Sequence, residues 1–265
     1  MPTITINNEK MNYIEAGRGL PLVLVHGFPL DNRIWESQLS TLSDKYRVIT
    51  PDLPGFGHSQ PPPARPFTME SLADTLHGFL TQLKATPCVL AGFSMGGYMS
   101  FAYERKYPTT LKALILIDTK AEADTPDGKA GRNKMIETAR TGGSKPIAAT
   151  MLPKMLTPQT IQSRPQLVQQ VTSIMESCPA QTIEYALGAM RDRSDYRDCC
   201  PSVAIPTAIL VGDADAITPP AVAEAMNKSI PHSKLTIIKG AGHLSPMEQP
   251  EQVNQAIRQF LSTIK

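Results

Sequence analysis

At 265 residues, with 41% hydrophobic and 19% charged side chains, the chain can bury a sizeable core as one large domain and lacks the bias of a disordered or fibrous protein. A formal net charge of +2 without a basic run excludes an electrostatic footprint for nucleic acid or an anionic membrane, so small molecules are the expected partners. No stretch approaches the length of a membrane span, and Cys88, Cys178, Cys199 and Cys200 show neither metal-ligand spacing nor a disulfide framework.

The opening MPTITINNEKMNYIEAG puts polar and acidic residues where a signal peptide needs a continuous apolar region, so the expected location is cytoplasmic. Thr3 to Ile6 and Met11 to Ile14 are short β-prone pieces around Asn7 and Asn8, which suggests an antiparallel hairpin at a sheet edge. Leu22 to Val25 is an unbroken apolar run, as expected for a strand buried on both faces of a parallel sheet. A helix near Ile34 to Leu42 and a buried strand from Tyr46 to Thr50 follow, the latter running into the loop PDLPGFGHS. Thr68 can cap a helix whose apolar positions Met69, Leu72, Ala73, Leu76, Phe79, Leu80 and Leu83 keep the i, i+3, i+4, i+7 spacing. A strand then begins at Cys88, a helix runs to about Tyr107 before Pro108, and Ala113 to Asp118 is another buried strand. Strands alternating with helices imply a mainly parallel, doubly wound sheet.

From Thr119 to Pro201 the alternation stops. Helices are expected at Arg132 to Ala139, Ile147 to Leu156, Pro158 to Glu176 and Ala180 to Arg191, which together suggest a helical lid. Met135, Met151, Met155, Met175 and Met190 lie here, either as an adaptable apolar surface for substrate or as filling for the insertion's own core. The sheet pattern returns at Thr207 to Val211, with a helix near Pro219, a strand from Leu235 to Ile238 and a last amphipathic helix carrying Val253, Ala256, Ile257, Phe260, Leu261 and Ile264.

Chemistry concentrates where predicted strands end, the place where open α/β sheets bind ligands. VLAGFSMGGYM, from Val89 to Met99, reads as a strand, a very tight turn and a helix, with Gly92 and Gly96 two residues either side of Ser94. A serine hydroxyl needs a base within hydrogen-bond reach, and that base needs an orienting carboxylate. Ser94, an aspartate at 213 or 215, and His243 follow three predicted strands in the order nucleophile, acid, base. His26 is expected to hold its own loop by hydrogen bonds, and Asp52 to shape a turn.

The motifs HGFP (26–29), DLPGFGHS (52–59), GFSMGG (92–97), GDADAITP (212–219) and GAGHLSPMEQP (240–250) resemble those of the α/β-hydrolase-fold serine hydrolases, over essentially all of the chain except the lid. The resemblance implies a doubly wound, mostly parallel eight-stranded sheet formed by residues 1–118 and 201–265, with residues 119–200 as a helical cap. It also implies that Ser94 is the nucleophile, His243 the general base and Asp215 the orienting acid, because Asp215 to Pro219 fits the family's Asp-x-x-x-Pro. The backbone N–H groups of Phe28 and Met95 would form the oxyanion hole. The implied activity is ester or lactone hydrolysis through an acyl-enzyme, with no cofactor or metal. Cofactor-free haloperoxidase (perhydrolase), carbon–carbon hydrolase and hydroxynitrile-lyase chemistry use the same triad, and a slow-turnover ligand sensor is an alternative of another class. Because the triad belongs to sheet segments, its reactivity is expected to be independent of the lid.

Overall fold

The computed structural model describes residues 2–6, 9–61 and 66–264. Its strands are β1 (Thr3–Ile6), β2 (Glu9–Ala16), β3 (Pro21–Val25), β4 (Arg47–Pro51), β5 (Cys88–Phe93), β6 (Leu111–Ile117), β7 (Thr207–Gly212) and β8 (Lys234–Ile238). They form one eight-stranded sheet in the order β1-β2-β4-β3-β5-β6-β7-β8, antiparallel for β1 with β2 and β2 with β4, and parallel from there on. The Asn7–Asn8 turn expected between the first two strands lies outside the described residues, although Ile6 stands opposite Glu9.

The unbroken apolar runs reflect burial on both sheet faces, and the two-residue period of a strand sorts them. Val23, Val25, Leu90, Leu114, Leu116, Ile209 and Val211 point into one core. Leu22, Leu24, Val89, Ala91, Ile115, Ile117, Ala208 and Leu210 point into the other. Helices α2 (Met69–Gln82), α3 (Met95–Lys106) and α9 (Pro220–Ser229) cover the first face, whereas α1 (Glu36–Leu42) and α10 (Pro250–Leu261) cover the second. In α2 the buried residues are Met69, Leu72, Ala73, Leu76, Phe79 and Leu80, the stripe read from the spacing except Leu83, which caps the helix half-buried. Each large apolar side chain so buried contributes about 1.5–3 kcal/mol. Thr68 starts α2 with a reciprocal capping box to Ser71, and Thr68→Ala would remove about 1 kcal/mol.

Between β6 and β7 lie α4 (Pro126–Gly142), α5 (Ser144–Met155), α6 (Pro158–Ser163), α7 (Pro165–Glu176) and α8 (Ala180–Asp192). Several helix bounds differ from the sequence reading, α5 for example starting at Ser144 instead of Ile147, and two differences have a plain cause. Helix α4 begins six residues before Arg132, at Pro126, because the Thr125 side chain caps it and Pro126 occupies the first turn, where its missing N–H costs nothing. The single helix expected over 158–176 is two, since Pro165 cannot donate to the preceding turn and starts α7 afresh. Met155 and Met175 are fully buried and Met190 is 2% exposed, whereas Met135 and Met151 are only partly covered.

The chain leaves β3 for β4 on one side and reaches β5 on the other, so the loops after β3 and β5 face each other across a switch point in strand order. That crevice positions the candidate site.

Candidate active site

Ser94 stands between β5 and α3 with φ 52° and ψ −113°, outside the regions a serine prefers. The surrounding backbone holds this conformation. The Ser94 N–H donates to the Ile117 carbonyl at 2.9 Å, while its own carbonyl accepts from Gly97 N–H at 2.9 Å and from the Thr119 hydroxyl at 2.8 Å. The turn is too tight for side chains on its flanks: a Cβ on Gly92 would lie 2.4 Å from both the Gly96 carbonyl oxygen and Ser100 Oγ.

His243 follows β8, and Asp215 follows β7. The His243 Nε2 atom is 2.9 Å from Ser94 Oγ, and Nδ1 is 2.9 Å from Asp215 Oδ2. Serine, histidine and aspartate are 8%, 1% and 4% exposed, so the chain of hydrogen bonds runs through a nearly water-free interior. Asp215 Oδ1 accepts the N–H groups of Ile217 and Thr218 at 2.8 and 2.9 Å, and Oδ2 accepts the Thr218 hydroxyl at 2.7 Å. Burial raises the Asp215 carboxyl, but the charge of His243 and hydrogen bonds from His243 and Thr218 outweigh it and hold the group below the ordinary carboxylate range. An ionised Asp215 accepts only, which assigns the imidazole proton to Nδ1 and turns the Nε2 lone pair toward Ser94.

The loop after β3 closes the site from the opposite side. A Cβ on Gly27 would come within 2.9 Å of Ser94 Cβ, so Phe28 enters this loop beside the elbow. Leu30 N–H returns to the Gly27 carbonyl at 3.0 Å to close the turn. Met95 is the first residue of α3, whose leading N–H groups have no intrahelical acceptor and whose dipole favours an anion. His26 is fully buried beneath the loop, with Nδ1 3.0 Å from the Gly27 carbonyl and Nε2 accepting Leu53 N–H at 3.0 Å. Burial lowers its pKa, in keeping with a neutral ring that ties two loops together. Asp52 does the same for a third: its carboxylate accepts Asn32 N–H, His58 N–H and the Asn12 side-chain amide.

Of the two aspartates after β7, Asp213 is exposed and accepts Gly240 N–H at 2.9 Å, away from His243. His58 and His232 are exposed, and His77 stacks on Tyr107 at 3.8 Å. Among the described residues no group of three or more His, Cys, Asp or Glu side chains is disposed to hold a metal ion. Of the buried carboxylates that escaped the sequence reading, two hold the backbone around His243. Asp118, at the end of β6, accepts Gly212 N–H at 2.9 Å and both the N–H and hydroxyl of Ser245, at 3.2 and 2.5 Å. Glu248 accepts Gly242 N–H at 2.6 Å and the N–H and hydroxyl of Thr157 at 2.8 and 3.0 Å. Their only signal was a charged residue ending an apolar run and a glutamate inside the quoted GAGHLSPMEQP motif.

Comparison with known proteins agrees with this architecture. The structure superposes on a thermophilic esterase from Thermogutta terrifontis with a TM-score of 0.94 and 42% identity, covering 98% of this chain and 97% of the other. A bromoperoxidase from Bacillus anthracis superposes with a TM-score of 0.88 at 25% identity, covering 98% and 99%. In sequence, 3-oxoadipate enol-lactonase 2 of Acinetobacter baylyi is 26% identical over 96% of this chain and 94% of its own length. Residues 21–250 match the family described as alpha/beta hydrolase fold, and the chain belongs to that family.

Proposed function

We propose that the protein is a serine hydrolase that cleaves small carboxyl esters or lactones through an acyl-enzyme. The observation that carries this reading is the hydrogen-bonded chain from Ser94 Oγ through His243 to Asp215, 2.9 Å at each step and almost wholly buried. Ser94 Oγ attacks the substrate carbonyl as its proton passes to His243 Nε2, and Asp215 stabilises the imidazolium that forms. The tetrahedral oxyanion faces the N–H groups of Phe28 and Met95, which gain most when the charge has developed. Collapse breaks the bond to the alcohol oxygen, which takes the proton from His243; in a lactone that alcohol stays tethered to the acyl group. Water, deprotonated by His243, then attacks the acyl-enzyme and restores the free serine.

Residues 119–200 act in this reading as a cap. Supporting it, the Thr182 hydroxyl in α8 donates to the Gly55 carbonyl at 3.0 Å, and Arg33 donates to Ser177 Oγ at 2.7 Å, so the insertion rests on the loops beside Ser94. Four free thiols among the described residues suit a reducing, cytoplasmic setting. No helix among the described residues is long and apolar enough to cross a membrane.

A second reading draws on the likeness to the bromoperoxidase: hydrogen peroxide replaces water in deacylation and releases a peracid. A panel of p-nitrophenyl esters and simple lactones, run with and without peroxide, separates the two. Stoichiometric release of p-nitrophenol without turnover would instead mark a slow ligand sensor and refute the hydrolase.

A further inference from the structure

The backbone on both sides of His243 is tied to the helical insertion, on one side directly and on the other through Glu248. Leu244 N–H donates directly to the Met155 carbonyl at 2.9 Å, at the last residue of α5. Gly242 N–H donates to Glu248 Oε2 at 2.6 Å, and the other oxygen of that carboxylate takes the Thr157 N–H at 2.8 Å and the Thr157 hydroxyl at 3.0 Å. Arg164, just after α6, donates to the carbonyl of Glu248 at 2.7 Å, which fixes the residue from behind. Glu248 is 2% exposed. A buried carboxylate that bridges two backbone N–H groups from different segments fixes their separation, because each oxygen must satisfy its own donor.

We propose that Glu248 is a positioning residue for His243: it transmits the placement of Met155–Thr157 in the insertion to the imidazole that faces Ser94. The inference rests on the reading of His243 as general base. It departs from the expectation that reactivity resides in the sheet segments alone. Replacing the carboxylate by an amide tests it, because the amide has one acceptor oxygen. Whichever way Glu248→Gln turns, an NH2 group meets either Gly242 N–H or Thr157 N–H, donor against donor. One side of the bridge then opens, and the Gly242–His243 segment moves.

The measurement is kcat and KM for p-nitrophenyl acetate, with kcat expressed per active site counted by complete labelling with a fluorophosphonate. Glu248→Gln is expected to lower kcat per labelled site about 10- to 100-fold with KM within about twofold, the effect of displacing a reacting group by about 1 Å. A merely structural residue would lower the number of labelled sites or the melting temperature and leave kcat per site unchanged, and that result overturns the proposal. Should Glu248→Gln not fold, Glu248→Asp decides: its carboxylate is one methylene shorter and cannot reach both the Gly242 and the Thr157 N–H, and an unchanged kcat per site overturns the proposal equally. Ser94→Ala runs alongside. Full turnover in that variant removes the reading of the site and the role of Glu248 together, whereas loss of turnover beside an unaffected Glu248→Gln removes the positioning role alone.

Discussion

Asp215→Asn is the substitution whose outcome follows most directly from the geometry. Asp215 Oδ1 is fixed by two backbone donors, Ile217 N–H and Thr218 N–H, so the asparagine oxygen takes that place and its NH2 group occupies the position of Oδ2. There it faces the Thr218 hydroxyl, which can rotate to accept, and His243 Nδ1, which can accept only in the other tautomer. The imidazole proton therefore moves to Nε2, and the base presents N–H instead of a lone pair to Ser94 Oγ. The established cost of this change in a serine protease triad is a factor of about 10⁴ in kcat, or roughly 5.4 kcal/mol in the barrier. Because every donor and acceptor keeps a partner, the melting temperature should change little. Steady-state hydrolysis of p-nitrophenyl acetate, with a thermal melt on the same preparation, measures both. A kcat within tenfold of wild type in a folded variant would refute the reasoning. So would an equal loss in Asp213→Asn, whose oxygen can still accept Gly240 N–H.

Ser94→Ala should lose about 10⁶ in kcat and all labelling by fluorophosphonate, with the fold retained, since the elbow depends on backbone contacts and not on the hydroxyl. Gly92→Ala should fail to give soluble protein or lower the melting temperature sharply, because the new Cβ would lie 2.4 Å from a backbone carbonyl that cannot retreat; wild-type melting in that variant would contradict the packing. Met155→Ala, in a fully buried side chain, should cost about 2–5 kcal/mol in chemical denaturation while the ranking of esters by acyl length stays the same; a changed ranking would make Met155 a substrate contact. Burial, reinforced by the charge of Asp215, lifts the Asp118 carboxyl well above its usual range. The unfolded chain releases this proton near pH 4 and the folded chain keeps it, so the contribution of Asp118 is complete below about pH 4 and is lost as pH rises toward the folded value. The stability of wild type relative to Asp118→Asn should therefore fall as pH rises above about 4 in urea titrations, and a pH-independent difference would argue against the shift.

What was legible in the sequence follows from the range over which each cause acts. The core strands were readable because β3, β5, β6 and β7 are buried on both faces and permit hardly any polar residue. Ser94 was readable because its turn imposes glycines at fixed offsets, and Asp215 and His243 because each follows directly on a strand-end turn. The extent of α4 was obscured by Gly128 and Gly131, which lower helix propensity without ending a helix that is capped at Thr125 and packed along Ile136 and Ala139. Asp118 and Glu248 were missed for a different reason. Each carboxylate is defined by backbone N–H groups, Gly212 and Ser245 for one, Thr157 and Gly242 for the other, all but Gly242 remote in sequence, and backbone donors leave no trace in residue identity.

The insertion also shapes how this chain must fold. β6 pairs with β7, from Leu114 opposite Thr207 to Ile117 opposite Leu210, yet residues 118–206 are made between the two strands. A nascent chain that has completed β6 presents an unpaired, almost entirely apolar sheet edge until β7 arrives. Docking β7 closes a long loop, which slows the step and prolongs that exposure. Aggregation during synthesis is thus expected to depend on the speed with which the insertion collapses into its own helices and brings the chain ends together. Fragments ending between residues 118 and 206 should be markedly less soluble than the whole protein and should bind chaperones through β6.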